Sequence, residues 1–156
     1  MQIGNARLED LPQLVSLLGL LFAQEKEFVP EPAKQERALA AILSDPQAGR
    51  IFAARDDGRV VAMASLLYTI STAQGGRAAL FEDLVVLPAY RGRGIGSALL
   101  AHVVEQARHE GVLRLTLLTD RDNERAQALY RKCGFAESSM KPMRLELGAR
   151  RRSSAA

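Results

Sequence analysis

The residues whose types and spacing can do chemistry are concentrated in LFEDLVVLPAYRGRGIGSALL, Leu80 to Leu100. An apolar run ends at Pro88. Arg91, Gly92, Arg93, Gly94, Ile95, Gly96 and Ser97 follow, before Ala98, Leu99, Leu100, Val103, Val104 and Ala107 recur at helical spacing. A strand feeding a glycine-rich turn and then a helix start makes an anion site. The first N–H groups of the helix lack an intrahelical partner and lie at the positive end of its dipole, and glycine lets an oxyanion come close to them. Arg91 and Arg93 add charge-assisted donors suited to phosphate. A tight strand-to-helix turn also wants glycine for conformational reasons alone, so the glycines by themselves say little. Two other phosphate motifs do not fit. Gly96-Ser97-Ala98 lacks the Gly-Lys-Ser/Thr that closes a Walker loop, and a Rossmann fingerprint belongs after the first strand of its fold, whereas this turn sits late in the chain.

Other reactive side chains carry weaker signals. Glu82 and Asp83 fall within the apolar run, and strict strand alternation places Glu82 on the face of Leu84 and Val86, opposite Asp83 and Val85. Cys133 is the only cysteine, which excludes an intramolecular disulfide and a paired-cysteine metal site and points to a buried or inert thiol in a reducing cytoplasm. His102 and His109 stand seven apart on the helix after the glycine turn and are expected to be solvated, and no metal site is expected. Tyr130 lies at helical spacing from Ala126 and Leu129, where core filling competes with a functional role.

These residues need elements to hold them. Residues 2 to 6 read as a short first strand, and Leu8, Leu11, Leu14, Val15, Leu18, Leu21 and Phe22 as one amphipathic helix. Pro30 and Pro32 interrupt the next stretch, and a second helix runs from Lys34 to Leu43, stopped by Ser44, Asp45 and Pro46. Arg50 to Arg55 and Val60 to Ile70 read as strands joined by an Asp56-Asp57-Gly58 turn, followed by a flexible loop from Ser71 to Arg77 and a strand from Ala78 to Leu87. Beyond the helix that follows the glycine turn come a buried strand, Leu113 to Thr119, a helix, Glu124 to Lys132, and one or two last strands in Gly134 to Leu147. This order predicts an α/β chain: a mixed sheet, helices on both of its faces, and at least one right-handed crossover.

The 156 residues fit one domain, and 47% hydrophobic with 25% charged residues is ordinary globular usage. No stretch reaches the roughly 18 apolar residues of a membrane span, and the N-terminus lacks the basic start and apolar run of a signal peptide, so a soluble cytoplasmic protein is expected. The formal charge of +3 is accounted for by Arg150, Arg151 and Arg152 alone. Residues 150–156 are expected to fray as a basic tail, leaving a neutral domain over 1–149 that does not suit nucleic acid.

Two blocks of the sequence resemble the GCN5-related N-acetyltransferase (GNAT) family. Its Arg/Gln-x-x-Gly-x-Gly/Ala signature is met by Arg91-Gly92-Arg93-Gly94-Ile95-Gly96, and its Asn-x-x-Ala-x-x-Leu-Tyr-x-x-x-Gly-Phe block by Asn123, Ala126, Leu129, Tyr130 and Gly134-Phe135. The resemblance implies a mixed, mostly antiparallel twisted sheet of about six or seven strands with about four helices. It implies acetyl-coenzyme A (acetyl-CoA) as co-substrate, with Leu84, Val85 and Val86 along the pantetheine arm, the amides of Gly92 to Ser97 on the pyrophosphate, and Asn123 in contact with the cofactor. It also implies direct transfer of acetyl to a primary amine, with a small amine favoured over a protein by the charges of Glu82, Asp83 and Asp120. An alkylamine with a pKa of about 10.4 is protonated at neutral pH and needs a base. The first choice for that base is Glu82, the second Asp83, with water as a third route. Tyr130 would give the leaving thiolate its proton, and an amide around Val86 would meet the oxyanion. Phe22, Phe28 and Phe81, with Glu25 and Glu27, fit an acceptor pocket or simple core packing. Relatives dimerise through late strands, which directs attention to Ala136 to Leu147 for a homodimer.

Two other functions compete. A non-catalytic acyl-CoA sensor would keep the glycine turn but could dispense with Glu82 and Tyr130. A nucleic-acid binder would depend on the arginine tail, and the neutral body with only 5% aromatic residues counts against it.

Overall fold

The Asp57-Gly58 pair, with φ of 48° and 80°, forms the two-residue turn that joins strand β2 (Gly49–Asp56) to β3 (Arg59–Ser71). Both central residues lie in the left-handed region, which is the hairpin turn whose twist matches that of the strands. The computed structural model describes residues 1–25 and 27–148. Its sheet is completed by β1 (Gln2–Asn5), β4 (Gly76–Val86) and β5 (Leu115–Leu117), in the order β1-β2-β3-β4-β5. All neighbours are antiparallel except β4 and β5, which run parallel. The chain is a single α/β domain with a mixed sheet.

Four helices cover the two faces. Helices α1 (Leu11–Gln24) and α2 (Pro32–Ser44) bring Leu14, Leu17, Leu18 and Leu39 onto Ile51, Ala53, Val60, Met63 and Val85. Helix α3 (Ile95–His109) packs Leu99, Leu100, Val103 and Ala107 against Phe52, Ala62, Ala64, Leu66 and Phe81, and α4 (Glu124–Lys132) adds Leu129 and Tyr130 at the edge of that core. Each fully buried leucine contributes about 1.5–3 kcal/mol, so α1, whose three leucines are buried, is held mainly by this face. Polar contacts fix its position. Buried Asp10 accepts the Arg7 N–H at 2.7 Å and pairs with Arg55, while Gln13 Oε1 accepts the Val60 N–H at 2.9 Å.

Strand β4 departs from regular pairing where it matters most. Met63 pairs with Val85 and Ser65 with Glu82, so β4 spends one more residue than β3 over this stretch. The surplus is a bulge at Asp83-Leu84, and Asp83 has a φ of +58°, rare for a residue other than glycine. The bulge reverses the parity of the strand. Phe81, Leu84 and Val86 all pack on the α3 side and Val85 on the α1 side, so Glu82, cross-strand from Ser65, shares the face of Val85. The expected placement of Glu82 beside Leu84 and Val86 is thereby corrected: strict alternation fails across an inserted residue.

Three other expectations change. Ser71 to Arg77 is a tight hairpin turn rather than a loop, with Gly75 N–H donating to the Ser71 carbonyl at 2.9 Å and Gly76 already in β4. The strand expected at Leu113 to Thr119 shrinks to three residues, with Leu113 and Leu118 exposed, because no further strand covers its outer side among the described residues. Gly134 to Leu147 carries no strand. Its period-two pattern leaves Met143, Leu145 and Leu147 exposed, since a lone extended segment has no ladder to join and Pro142 has no N–H to offer one. The sheet therefore has five strands among the described residues, fewer than the six or seven expected. The basic tail of residues 150–156 lies outside the described residues.

Candidate active site

Pairing between β4 and β5 runs only from Ala79↔Leu115 to Phe81↔Leu117, and the bulge follows at once. From Glu82 onward the β5-facing edge of β4 has no strand beside it among the described residues, so the two strands diverge. A cleft of ≈ 1060 Å³ occupies the opening and continues over the start of α3. Because the opening passes between strands, both faces of the sheet reach it: the C-cap of α1 and the connection after it supply Glu25 and Glu27, and α4 supplies Ala126, Leu129 and Tyr130.

The floor at one end is the glycine turn. Gly92 and Gly94 have φ of 76° and 77°, and Gly94 is the residue that opens α3. The helix ladder starts with the Ala98 N–H donating to the Gly94 carbonyl at 3.0 Å, which leaves the N–H groups of Ile95, Gly96 and Ser97 outside it, and no side chain caps them. Those three residues, with Gly92, line the cleft. A β-carbon at Gly96 would meet only Val86 Cγ2 at 3.7 Å and Leu129 Cδ2 at 3.9 Å, so the need for glycine is conformational at Gly92 and Gly94 rather than steric at Gly96. The arginines divide. Arg91 lines the cleft and donates from Nε to the Val86 carbonyl at 3.1 Å, which ties the turn to the end of β4. Arg93 stacks over the Tyr90 ring at 5.1 Å and is not among the cleft-lining residues.

The other end is acidic and half-enclosed. Leu84, Val85 and Val86 form the β4 wall, with Glu82 exposed and Asp83 half-buried on the rim. Asp83 Oδ2 accepts the Ser65 hydroxyl at 3.3 Å. Burial first, and the Glu82 charge second, push the Asp83 carboxyl up to about 6 against the opposing Ser65 hydrogen bond. Glu25 is pushed up to about 7, by burial first and then by the charges of Asp120, Asp83, Glu27 and Glu82. Tyr130 stands edge-on to Phe81 and Phe135, with centroids 6.1 Å and 5.9 Å away, and burial followed by the Glu25 charge raises its phenol to about 12. Asn123 also lines the cleft, but its Oδ1 accepts the Ala126 N–H at 3.1 Å and caps α4. That bond fixes the helix that carries Tyr130.

The cleft thus gathers Glu82, Asp83, Leu84, Val85, Val86, Arg91, Gly92, Gly94, Ile95, Gly96, Ser97, Asn123 and Tyr130 from three separate segments. Phe28 and Phe81 line it, whereas Phe22 packs against the α1 core and the Phe28 ring. His102 is half-buried with its ring against Phe52 at 5.7 Å, contrary to the solvated position expected, while His109 is exposed beside Glu105. Cys133 is half-buried at the edge of the α3 core. Sequence reasoning did not single out Arg121, Arg125 and Arg144, which also line the cleft. Arg144 pairs with Glu27 and lies over Phe28, so the strandless C-terminal segment still closes one wall. No periodicity marks these arginines.

A divergent strand pair, a bulge and an uncapped helix start after a glycine turn define the class. The chain belongs to the acetyltransferase (GNAT) family, a family of acyltransferases whose model matches residues 14–135. Among its relatives is a glucosamine 6-phosphate N-acetyltransferase of Trypanosoma brucei brucei, 36% identical over 99 residues that make up 63% of this chain and 65% of the relative. The match thus spans just under two thirds of that relative's length. An aminoalkylphosphonate N-acetyltransferase of Salmonella typhimurium is 31% identical over 88% of this chain and 86% of its own. A putative acetyltransferase of Agrobacterium tumefaciens superposes with a TM-score of 0.79 at 31% identity, covering 94% of this chain and all of that one.

Proposed function

We propose that the chain transfers an acetyl group from acetyl-CoA to a primary amine by direct attack within a ternary complex. The observation that carries this reading is the continuity of one cleft, from the free amides at Ile95, Gly96 and Ser97, along the unpaired edge of β4, to the carboxylates around Glu25. The turn fits a pyrophosphate because its donors are unpaired and Gly92 and Gly94 already hold the required backbone. Acetyl-CoA, when bound, supplies the thioester. The chain's own residues supply a place for each partner: the turn holds phosphate, the β4 edge offers backbone groups to an extended arm, and the acidic end receives a cationic amine.

Tyr130 is the reading's proton donor to the departing sulfur. With its phenol at about 12 it stays protonated at every working pH. A thiol of pKa about 8.5 is the stronger acid by more than three powers of ten, so Tyr130 donates a hydrogen bond as charge builds on sulfur and yields its proton only in step with bond cleavage.

Both named relatives have acceptors that join an amine to a phosphorus oxyanion. In this chain Arg121 and Arg125 line the cleft with no ion pair among the described residues, which supports a small amine bearing an anionic group. The test is thiol release from acetyl-CoA with glucosamine 6-phosphate, an aminoalkylphosphonate, a polyamine and a peptide with a free N-terminus. Amine-dependent release, greatest with a small acceptor, is expected. Cofactor binding without release on any amine would make the protein a sensor of acyl-CoA.

A further inference from the structure

We propose that Glu25, at the C-terminal end of α1, is the general base that takes the proton from the acceptor's ammonium group. The assignment rests on the transferase reading above and adds a residue to it. Three features of the cleft single Glu25 out. It lines the opening between the strands, it is half-buried, and its carboxylate has no hydrogen bond or ion pair among the described residues. The neighbouring acids differ from it: Asp83 is held by the Ser65 hydroxyl and Glu27 by Arg144, while Glu82 and Asp120 are exposed to water. An uncommitted carboxylate with restricted access to water is the form a base takes in such a site.

Its surroundings tune it in the useful direction. Glu82 and Asp83 face it from β4, Asp120 from the segment after β5, and Glu27 from its own connection. Across the cleft stand Tyr130 and the cations Arg121 and Arg125, while Arg144 is engaged by Glu27 and Arg91 by the Val86 carbonyl. Burial and the four carboxylates bring Glu25 to about 7, where it is half ionised at neutral pH yet basic enough to draw a proton from nitrogen. The Glu25 charge in turn helps keep the Tyr130 proton in place, so base and acid act on the same stretch of the cleft.

The step balances. Glu25 accepts one proton from the ammonium; the freed lone pair bonds to the acetyl carbon, and the C–S bond breaks. Nitrogen gives up its second proton and the departing sulfur gains one, with Tyr130 at the sulfur, so the products are an amide, a thiol and protonated Glu25. Glu25 then returns its proton to solvent. Because the carboxylate must be ionised to act, the rate rises with pH through about 7.

The test compares Glu25→Gln with the unaltered protein on two amines. One is ordinary ethanolamine; the other is trifluoroethylamine, whose fluorines keep it neutral at the assay pH. Loss of a base should lower kcat/KM on ethanolamine about a hundredfold and leave trifluoroethylamine within about threefold. The inflection near 7 should vanish from the ethanolamine profile in Glu25→Gln, leaving only the rise with free amine, persist at a lower rate in Glu25→Asp, and remain in Asp83→Asn. Without cofactor, carbon-13 NMR of the unaltered protein should show the Glu25 carboxyl titrating near 7. Equal losses on both amines, an inflection near 7 that survives Glu25→Gln, or loss of acetyl-CoA binding in that variant would overturn the assignment alone. Absence of amine-dependent thiol release from the unaltered protein would overturn the transferase reading and the assignment with it.

Discussion

Tyr130 shows how a single side chain acquires its role from what surrounds it. Its ring is fixed edge-on between Phe81 and Phe135, and its hydroxyl is kept protonated by burial and by a carboxylate across the cleft. Removing the hydroxyl preserves the ring packing, so Tyr130→Phe should lower kcat about a hundredfold while leaving acetyl-CoA affinity nearly unchanged. Steady-state kinetics and calorimetry on the same preparation check both parts, and unaltered kcat across the pH profile would remove Tyr130 from the chemistry. The tyrosine was legible in the sequence because the whole block from Asn123 to Phe135 surrounds it. The raised carboxyl of Glu25 was not. Its shift comes from charges on β4 and on the segment after β5, brought to it only by the tertiary fold.

At the scale of elements, the bulge in β4 decides the site. It places Asp83 in the left-handed region and reverses the facing of Glu82 relative to Leu84 and Val86. Deleting Asp83 would restore regular pairing with β3 while keeping Phe81, Leu84 and Val86 on the α3 face, so the variant should fold with stability changed by about 1 kcal/mol or less. Turnover should still fall about a hundredfold, since a displacement of about an ångström at the wall misplaces the reactants. Chemical unfolding and thiol release measure the two effects; a folded deletion variant with full turnover would show that the bulge is dispensable. Nothing in FEDLVV announces a bulge, because an inserted residue looks like any other until its partner strand is known. The helices and the Asp57-Gly58 hairpin were readable because their signals are local. The one or two strands expected in Gly134 to Leu147 fail for the opposite reason: an extended segment such as Met143 to Leu147 becomes a strand only if a partner exists.

For the whole molecule, a sheet covered on both faces opens where β4 and β5 part, and that gap lets α1 and α4, on opposite sides, reach the same cleft. No described helix is long and apolar enough to cross a membrane. The glycine turn lies where the gap meets α3, and on the proposed reading this end of the cleft holds the cofactor's pyrophosphate. Calorimetric titration with acetyl-CoA, run on the unaltered chain and on Gly94→Ala, tests it most directly. One molecule should bind per chain, and the alanine, forced to a φ near 77°, should weaken binding about tenfold through strain of roughly 1–2 kcal/mol. No binding by the unaltered chain, or equal binding by the two, would mean that the glycine turn does not hold the pyrophosphate.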